Sequence, residues 1–209
     1  MNVPPYPGSL LLLGADTALG LAVCTRLAPT TRLALGGPDA RALAAPFHEA
    51  ERVRTLKGLA APIPVVTGPP PEEVAGAVAA FSGLDAIVAV GAVRDGAVAD
   101  LFGPVVAAAP PRSTVVVVGE GDGPALAAWT ATTAEALLET RHVRLNAVSV
   151  AGGATLGWGA WEGANGQAAA HYAEATRVVR MLLTRDAHAL VGQTIYVHAG
   201  PRRTIGAPA

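Results

Sequence analysis

The stretch SLLLLGADTALGLAVCTRLA, residues 9–28, constrains the fold more than any other part of the chain. Leu10, Leu11, Leu12 and Leu13 run without a polar break, the pattern of a short strand buried on both faces in a parallel sheet. Gly14 ends the run, and Leu19, Val23 and Leu27 then recur at helical spacing. A strand, a glycine turn and a helix in succession aim unpaired backbone N–H groups at an anion. Pro29 closes the unit. Gly14, Ala18 and Gly20 form G-x-x-x-A-x-G, which differs from the G-x-G-x-x-G dinucleotide fingerprint. Two readings stand at this point: a cradle for a phosphate, or a tight turn that binds nothing.

The rest of the chain suits a full α/β core. It has 209 residues, 51% hydrophobic and 15% charged, which excludes a disordered chain. The net charge of -1 gives no electrostatic reason to expect nucleic acid or an anionic membrane. Cys24 is the only cysteine, so no disulfide framework is expected, and it reads as a small core residue. Apolar runs are broken by Asp16, Asp85 or prolines before they could span a bilayer. The leucine run has no basic region before it, so the expectation is a cytoplasmic protein rather than a signal peptide.

Residues 1–8, MNVPPYPG, read as an extended arm. Beyond the leucine run, strands are expected over 31–36, 63–67, 85–90, 113–118, 143–150 and 194–197. Helices are expected over 40–59, where Pro46 should interrupt, and over 72–81, where Glu72 and Glu73 suit the positive end of the dipole. Further helices are expected over 97–109, weakened at Gly103-Pro104, then over 125–140 and 168–183. Residues 119–123 read as a turn, and 151–166 as a glycine- and tryptophan-rich loop. Strands and helices alternate throughout. The expected class is therefore α/β, a single domain over 9–200 with a doubly wound parallel sheet, followed by a basic tail over 201–209.

Several segments carry a family resemblance. RHVRLNAVSVAG (141–152) resembles the IRVNAVxPG strand of short-chain dehydrogenases/reductases. VGQTIYVHAG (191–200) resembles their TGQxxxVDGG, and LDAIV (84–88) the start of their fourth strand. The glycine turn resembles their T-G-x-x-x-G-x-G, with Leu13 for Thr and Ala18 for the middle glycine. The chain is identified as a divergent member of that family. The resemblance implies a Rossmann-like sheet that binds NAD or NADP at the carboxyl edge of its strands, with Gly14, Asp16, Thr17, Leu19, Gly20 and Gly91 facing the cofactor. Asp39, after the second strand, is either the acceptor of the adenine ribose hydroxyls or a helix N-cap.

The family's hydride transfer relies on a tyrosine, a lysine four residues later and a serine. AAWTATTAEALLETR (127–141) aligns with its AAYSASKAAxEALTR, which puts Trp129 at the tyrosine position and Thr133 at the lysine position. Neither side chain can move a proton near neutral pH or tune one that does. No serine follows Ser113 until Ser149, and the family's N-N-A-G reads Ala89-Val90-Gly91-Ala92. The stretches 91–113 and 129–143 are short for the family's fourth and fifth helices, which build its dimer interface.

Other candidates have plainer readings beside them. Glu120 and Asp122 could do acid/base work at the edge of the central strand, or form a solvated acidic turn. Tyr172 could stand in for the missing proton donor. Trp158 and Trp161 could line a pocket or form a hydrophobic lid. His48, His142, His171, His188 and His198 show no metal spacing, so no metal is expected. Asn146 reads as a backbone anchor. The expectation is a catalytically degenerate protein, a non-catalytic or regulatory partner of an intact family member in a homo- or hetero-oligomer, or a binder of a nucleotide or small molecule. The alternative is an atypical NAD(P)-dependent oxidoreductase, or a non-redox enzyme of dehydratase or cyclase type with a relocated site.

Overall fold

The computed structural model describes residues 7–59, 61–150 and 166–197. In chain order they form β1 (Ser9–Leu13), α1 (Ala18–Leu27), β2 (Arg32–Gly37), α2 (Ala44–Leu56), β3 (Val65–Thr67), α3 (Pro70–Phe81) and β4 (Ala86–Val93). Then follow α4 (Val98–Ala108), β5 (Thr114–Gly121), α5 (Gly123–Arg141), β6 (Arg144–Val150), α6 (Gly166–Leu183), a 3-10 turn over Arg185–Ala189 and β7 (Thr194–Val197). The seven strands make one sheet in the order β3-β2-β1-β4-β5-β6-β7. Every pairing is parallel.

The leucine run sits at the middle of this sheet, and all five residues of β1 are buried. Its period of two divides the core. Leu10 and Leu12 pack with α1, α2 and α6 on one face, while Leu11 and Leu13 pack with α3, α4 and α5 on the other. The four valines of β5, Val115 to Val118, are shared between the two cores in the same way. Each such side chain contributes roughly 2 kcal/mol by leaving water.

The boundaries differ from expectation in ways that matter for the site. Pro46 does not interrupt α2. It is the third residue of that helix, in the first turn, where no N–H donor is required. Pro104 lies inside α4, held there by the buried face of Val98, Phe102, Val105 and Val106. Strands β4 and β5 each run three residues beyond the expected ends, so Gly91 pairs with Gly119 and Ala92 with Glu120. Residues 119–121 are therefore strand rather than turn. Helix α4 has 11 residues. Helix α5 has 19, because it starts directly after β5, and 12 of them follow Trp129.

Candidate functional site

The carboxyl edge of β1 and the start of α1 form the glycine turn. Gly14 has a φ of +71°, and a Cβ there would lie 2.2 Å from the Val90 carbonyl oxygen. A Cβ on Gly20 would lie 2.0 Å from the Gly14 carbonyl oxygen. Both glycines are thus required by close packing of helix on strand, with or without a ligand. Thr17 is the N-cap: its Oγ1 accepts from the Gly20 N–H at 2.9 Å and donates to the Gly14 carbonyl at 2.9 Å. The N–H groups of Ala18 and Leu19 in the first turn lack intrahelical acceptors, the usual condition of a helix start that meets an anion.

Beside this turn is a cavity of about 250 Å³ between the carboxyl ends of β1, β2 and β4. Gly14, Gly37, Glu73, Val90, Leu101 and Phe102 are among its walls. Glu73 is the unexpected member. It comes from the first turn of α3, is 4% exposed, and accepts a hydrogen bond from the Gly37 backbone. Burial pushes its carboxyl up to about 7, against the pull of that hydrogen bond, and the charge of half-buried Asp16 adds to the rise. Asp39 is exposed, and its Oδ1 accepts from the Ala42 N–H at 2.8 Å, the local-cap arrangement. Gly91 lies within β4, where a Cβ would come within 2.8 Å of the Leu101 side chain.

Two candidates from distant parts of the chain meet on the α6 face of the sheet. Glu120, on β5, is 6% exposed and hydrogen-bonds the hydroxyl of Tyr172, on α6, which is 2% exposed. Glu120 is thus not part of a solvated turn. Its side chain follows Val116 and Val118 toward α6 by strand alternation. Burial raises its carboxyl, with the Tyr172 hydrogen bond opposing, and Oε1 has no partner. Burial and then the Glu120 charge push the Tyr172 phenol up to about 12. Asp122 takes no part: it is exposed, and its Oδ1 caps α5 by accepting from the Ala125 N–H at 3.0 Å.

Trp129 lies on the opposite face. It packs into the α4/α5 core, with its ring 6.3 Å from that of Phe102. Thr133 is half-buried one turn further along α5. The sheet separates both from Glu120 and Tyr172. Asn146 is fully buried and bridges β6 to the approach of β7, donating to the Leu190 carbonyl at 2.8 Å and accepting from the Gln193 N–H at 3.0 Å.

Lys57 is the only lysine in the chain. It stands just past the C-terminal end of α2, whose 13 residues carry it about 20 Å back to the other edge of the sheet. Of the three tyrosines, Tyr172 and Tyr196 lie near the carboxyl edge, Tyr196 donating to the Gly123 carbonyl at 3.3 Å. Tyr6, Trp158, Trp161, His198, the loop 151–165 and the tail 201–209 lie outside the described residues. No group of three or more His, Cys, Asp or Glu converges among the described residues. No helix among them is long and apolar enough to cross a membrane.

No model of a known protein family matches the sequence, and no curated protein does. Solved structures match over almost all of it. The short-chain type dehydrogenase/reductase from Mycobacterium ulcerans superposes with a TM-score of 0.70 at 15% identity, over 90% of this chain and 87% of that one. Cj0485 dehydrogenase gives 0.70 at 11% identity, over 94% of both chains. The promiscuous reductase LugOII, which catalyses keto-reduction at C1 during lugdunomycin biosynthesis, gives 0.64 at 18% identity, over 93% and 97%. At such identities the likeness speaks for architecture, and the chain has the fold of the short-chain dehydrogenase/reductase structures.

Proposed function

We propose that this chain is a relative of the short-chain dehydrogenases/reductases that keeps a nucleotide cleft and has no tyrosine–lysine relay for hydride transfer. It acts in the cytoplasm as a non-catalytic or regulatory partner, in an oligomer with itself or with an intact enzyme of that fold. One observation carries this reading. The only lysine is at the wrong edge of the sheet. A phenol gives up its proton near neutral pH when a cation beside it lowers its pKa. Tyr172 instead faces a carboxyl and is pushed up to about 12.

The binding half is better provided. The turn of Gly14, Asp16, Thr17, Leu19 and Gly20 holds a pyrophosphate through the Ala18 and Leu19 N–H groups. A cavity of about 250 Å³ is small beside ordinary ligand pockets of roughly 300–1,000 Å³, and takes one nucleoside half of NAD or NADP. Glu73, rather than Asp39, meets the ribose. A carboxylate there disfavours a 2′-phosphate, so NAD is the better fit. Leu101 on α4 and Leu138 on α5, 36% and 39% exposed, offer apolar surface to a second subunit.

The test is a fluorescence titration of the purified protein with NADH and NADPH, run beside a carbonyl-reduction assay. Saturable binding of NADH, weaker binding of NADPH and no turnover are expected. Failure to bind either removes the cleft reading. Turnover that disappears in Tyr172→Phe sinks the non-catalytic one.

The Glu120–Tyr172 contact favours a second reading, a non-redox step in which the Glu120 carboxyl moves a proton at its unpartnered oxygen. Turnover abolished by Glu120→Gln with the fold intact supports it. Turnover indifferent to Glu120→Gln and Tyr172→Phe removes it.

A further inference from the structure

A second cavity lies away from the nucleotide edge. It measures about 550 Å³ and lies where the C-terminal turns of α1, α2 and α6 meet, at the opposite edge of the sheet. Three cations line it: Arg26, Lys57 and Arg180. No carboxylate does; its other walls include Pro29, Val53 and the methyl-bearing Thr25 and Thr30. Thr25 and Thr30 spend their hydroxyls on the Leu21 and Leu27 carbonyls, at 2.9 and 3.1 Å, and so turn little polarity inward.

Positive side chains at helix C-termini ordinarily answer the negative end of the dipole. That need is already met here by a different residue. Arg54, 4% exposed, donates from Nη1 to the Ala28 and Thr31 carbonyls at 3.2 and 2.9 Å, closing the end of α1. Its Nε is buried without a partner. The side chains of Arg26 and Lys57 make neither a hydrogen bond nor an ion pair among the described residues. The acids of α2 are engaged elsewhere, Glu49 with Arg52 at 2.6 Å and Glu51 beside His48 at 3.9 Å. Glu174 of α6 holds Arg177 at 2.7 Å. In a chain of net charge -1, Arg26 and Lys57 therefore carry positive charge that no carboxylate among the described residues pairs with.

We propose that this cavity binds a small amphipathic anion, a carboxylate or phosphate borne on a short apolar body. Arg26 and Lys57 hold the head group, and Pro29, Val53 and the threonine methyls cover the body. Its volume lies within the ordinary range for small-molecule pockets, roughly 300–1,000 Å³. The proposal is independent of the nucleotide cleft, which lies one helix length away and shares none of these residues.

The test is calorimetric titration of the full chain at low salt with octanoate and with octyl phosphate. Inorganic phosphate and octanol serve as separate arms. One or both amphiphiles should bind saturably, with inorganic phosphate and octanol each at least tenfold weaker. The double variant Arg26→Gln, Lys57→Gln should lower the amphiphile affinity about tenfold, the effect of about 1.4 kcal/mol. Lys57→Arg should retain it, and the thermal transition should be unchanged in both variants, since the two side chains are exposed. Absence of saturable binding, binding that survives the double substitution, or equal binding of octanol overturns the proposal.

Discussion

Replacing Glu73 with Gln removes a charge that the fold buries. In the native protein burial lifts the carboxyl from 4.5 to about 7, while the unfolded chain titrates near 4.5. Between those values the folded state keeps a proton that the unfolded state has released. Stability therefore falls as pH rises through that window and levels off above it. At 1.36 kcal/mol per pH unit, the gap corresponds to about 3 kcal/mol. Gln stays neutral throughout and keeps an oxygen for the Gly37 N–H. Urea unfolding of both proteins at pH 5 and pH 8 measures the difference directly. The two should be close at pH 5, and Glu73→Gln should be more stable by up to about 3 kcal/mol at pH 8. For a chain of this length that is a rise in Tm of about 6–12 °C. Other groups cancel in the comparison, including Glu120, whose raised carboxyl acts in the same direction. Parallel pH curves for the two proteins, or a variant less stable at pH 8, would refute the burial of an uncompensated carboxyl.

Three further outcomes follow from the same packing. Gly20→Ala should cost more than about 2 kcal/mol or prevent folding, because its Cβ would meet the Gly14 carbonyl oxygen at 2.0 Å; denaturation or soluble yield reads this, and a neutral effect contradicts the turn geometry. Cys24, fully buried and with its thiol pushed up to about 12 by burial and then by Glu49, should react with a disulfide reagent only on unfolding. Rapid labelling of the native protein would show the helix face to be open. Asn146→Ala should destabilise by about 2–4 kcal/mol in urea, since it strands the Leu190 carbonyl and the Gln193 N–H. A cost below about 1 kcal/mol would show that water replaces both bonds.

The sheet was legible because its strands are buried on both faces. A run such as Leu10–Leu13 or Val115–Val118 has no polar face to offer solvent, and its shortness, with a flanking glycine, suits an interior parallel strand. The glycine turn was equally local, since the spacing of Gly14 and Gly20 is set by how closely one helix can start behind one strand. Ends were less legible. Nothing in Gly119-Glu120-Gly121 says strand, and it becomes one because the extended β4 offers it partners.

By its sequence alone this protein was bound to an α/β sheet with a glycine turn after its first strand, and its composition placed one lysine in it and no more. The side chains that matter at the two edges were settled only in three dimensions. Glu72 and Glu73 are adjacent and chemically alike, yet one is exposed and the other is buried in the cavity wall, accepting from Gly37. Glu120 and Asp122 are two residues apart, but one is locked to Tyr172 and the other caps a helix in solvent. Periodicity fixes which face of an element turns inward; what waits there, and whether it brings a partner or leaves a carboxyl alone, depends on the elements packed across from it.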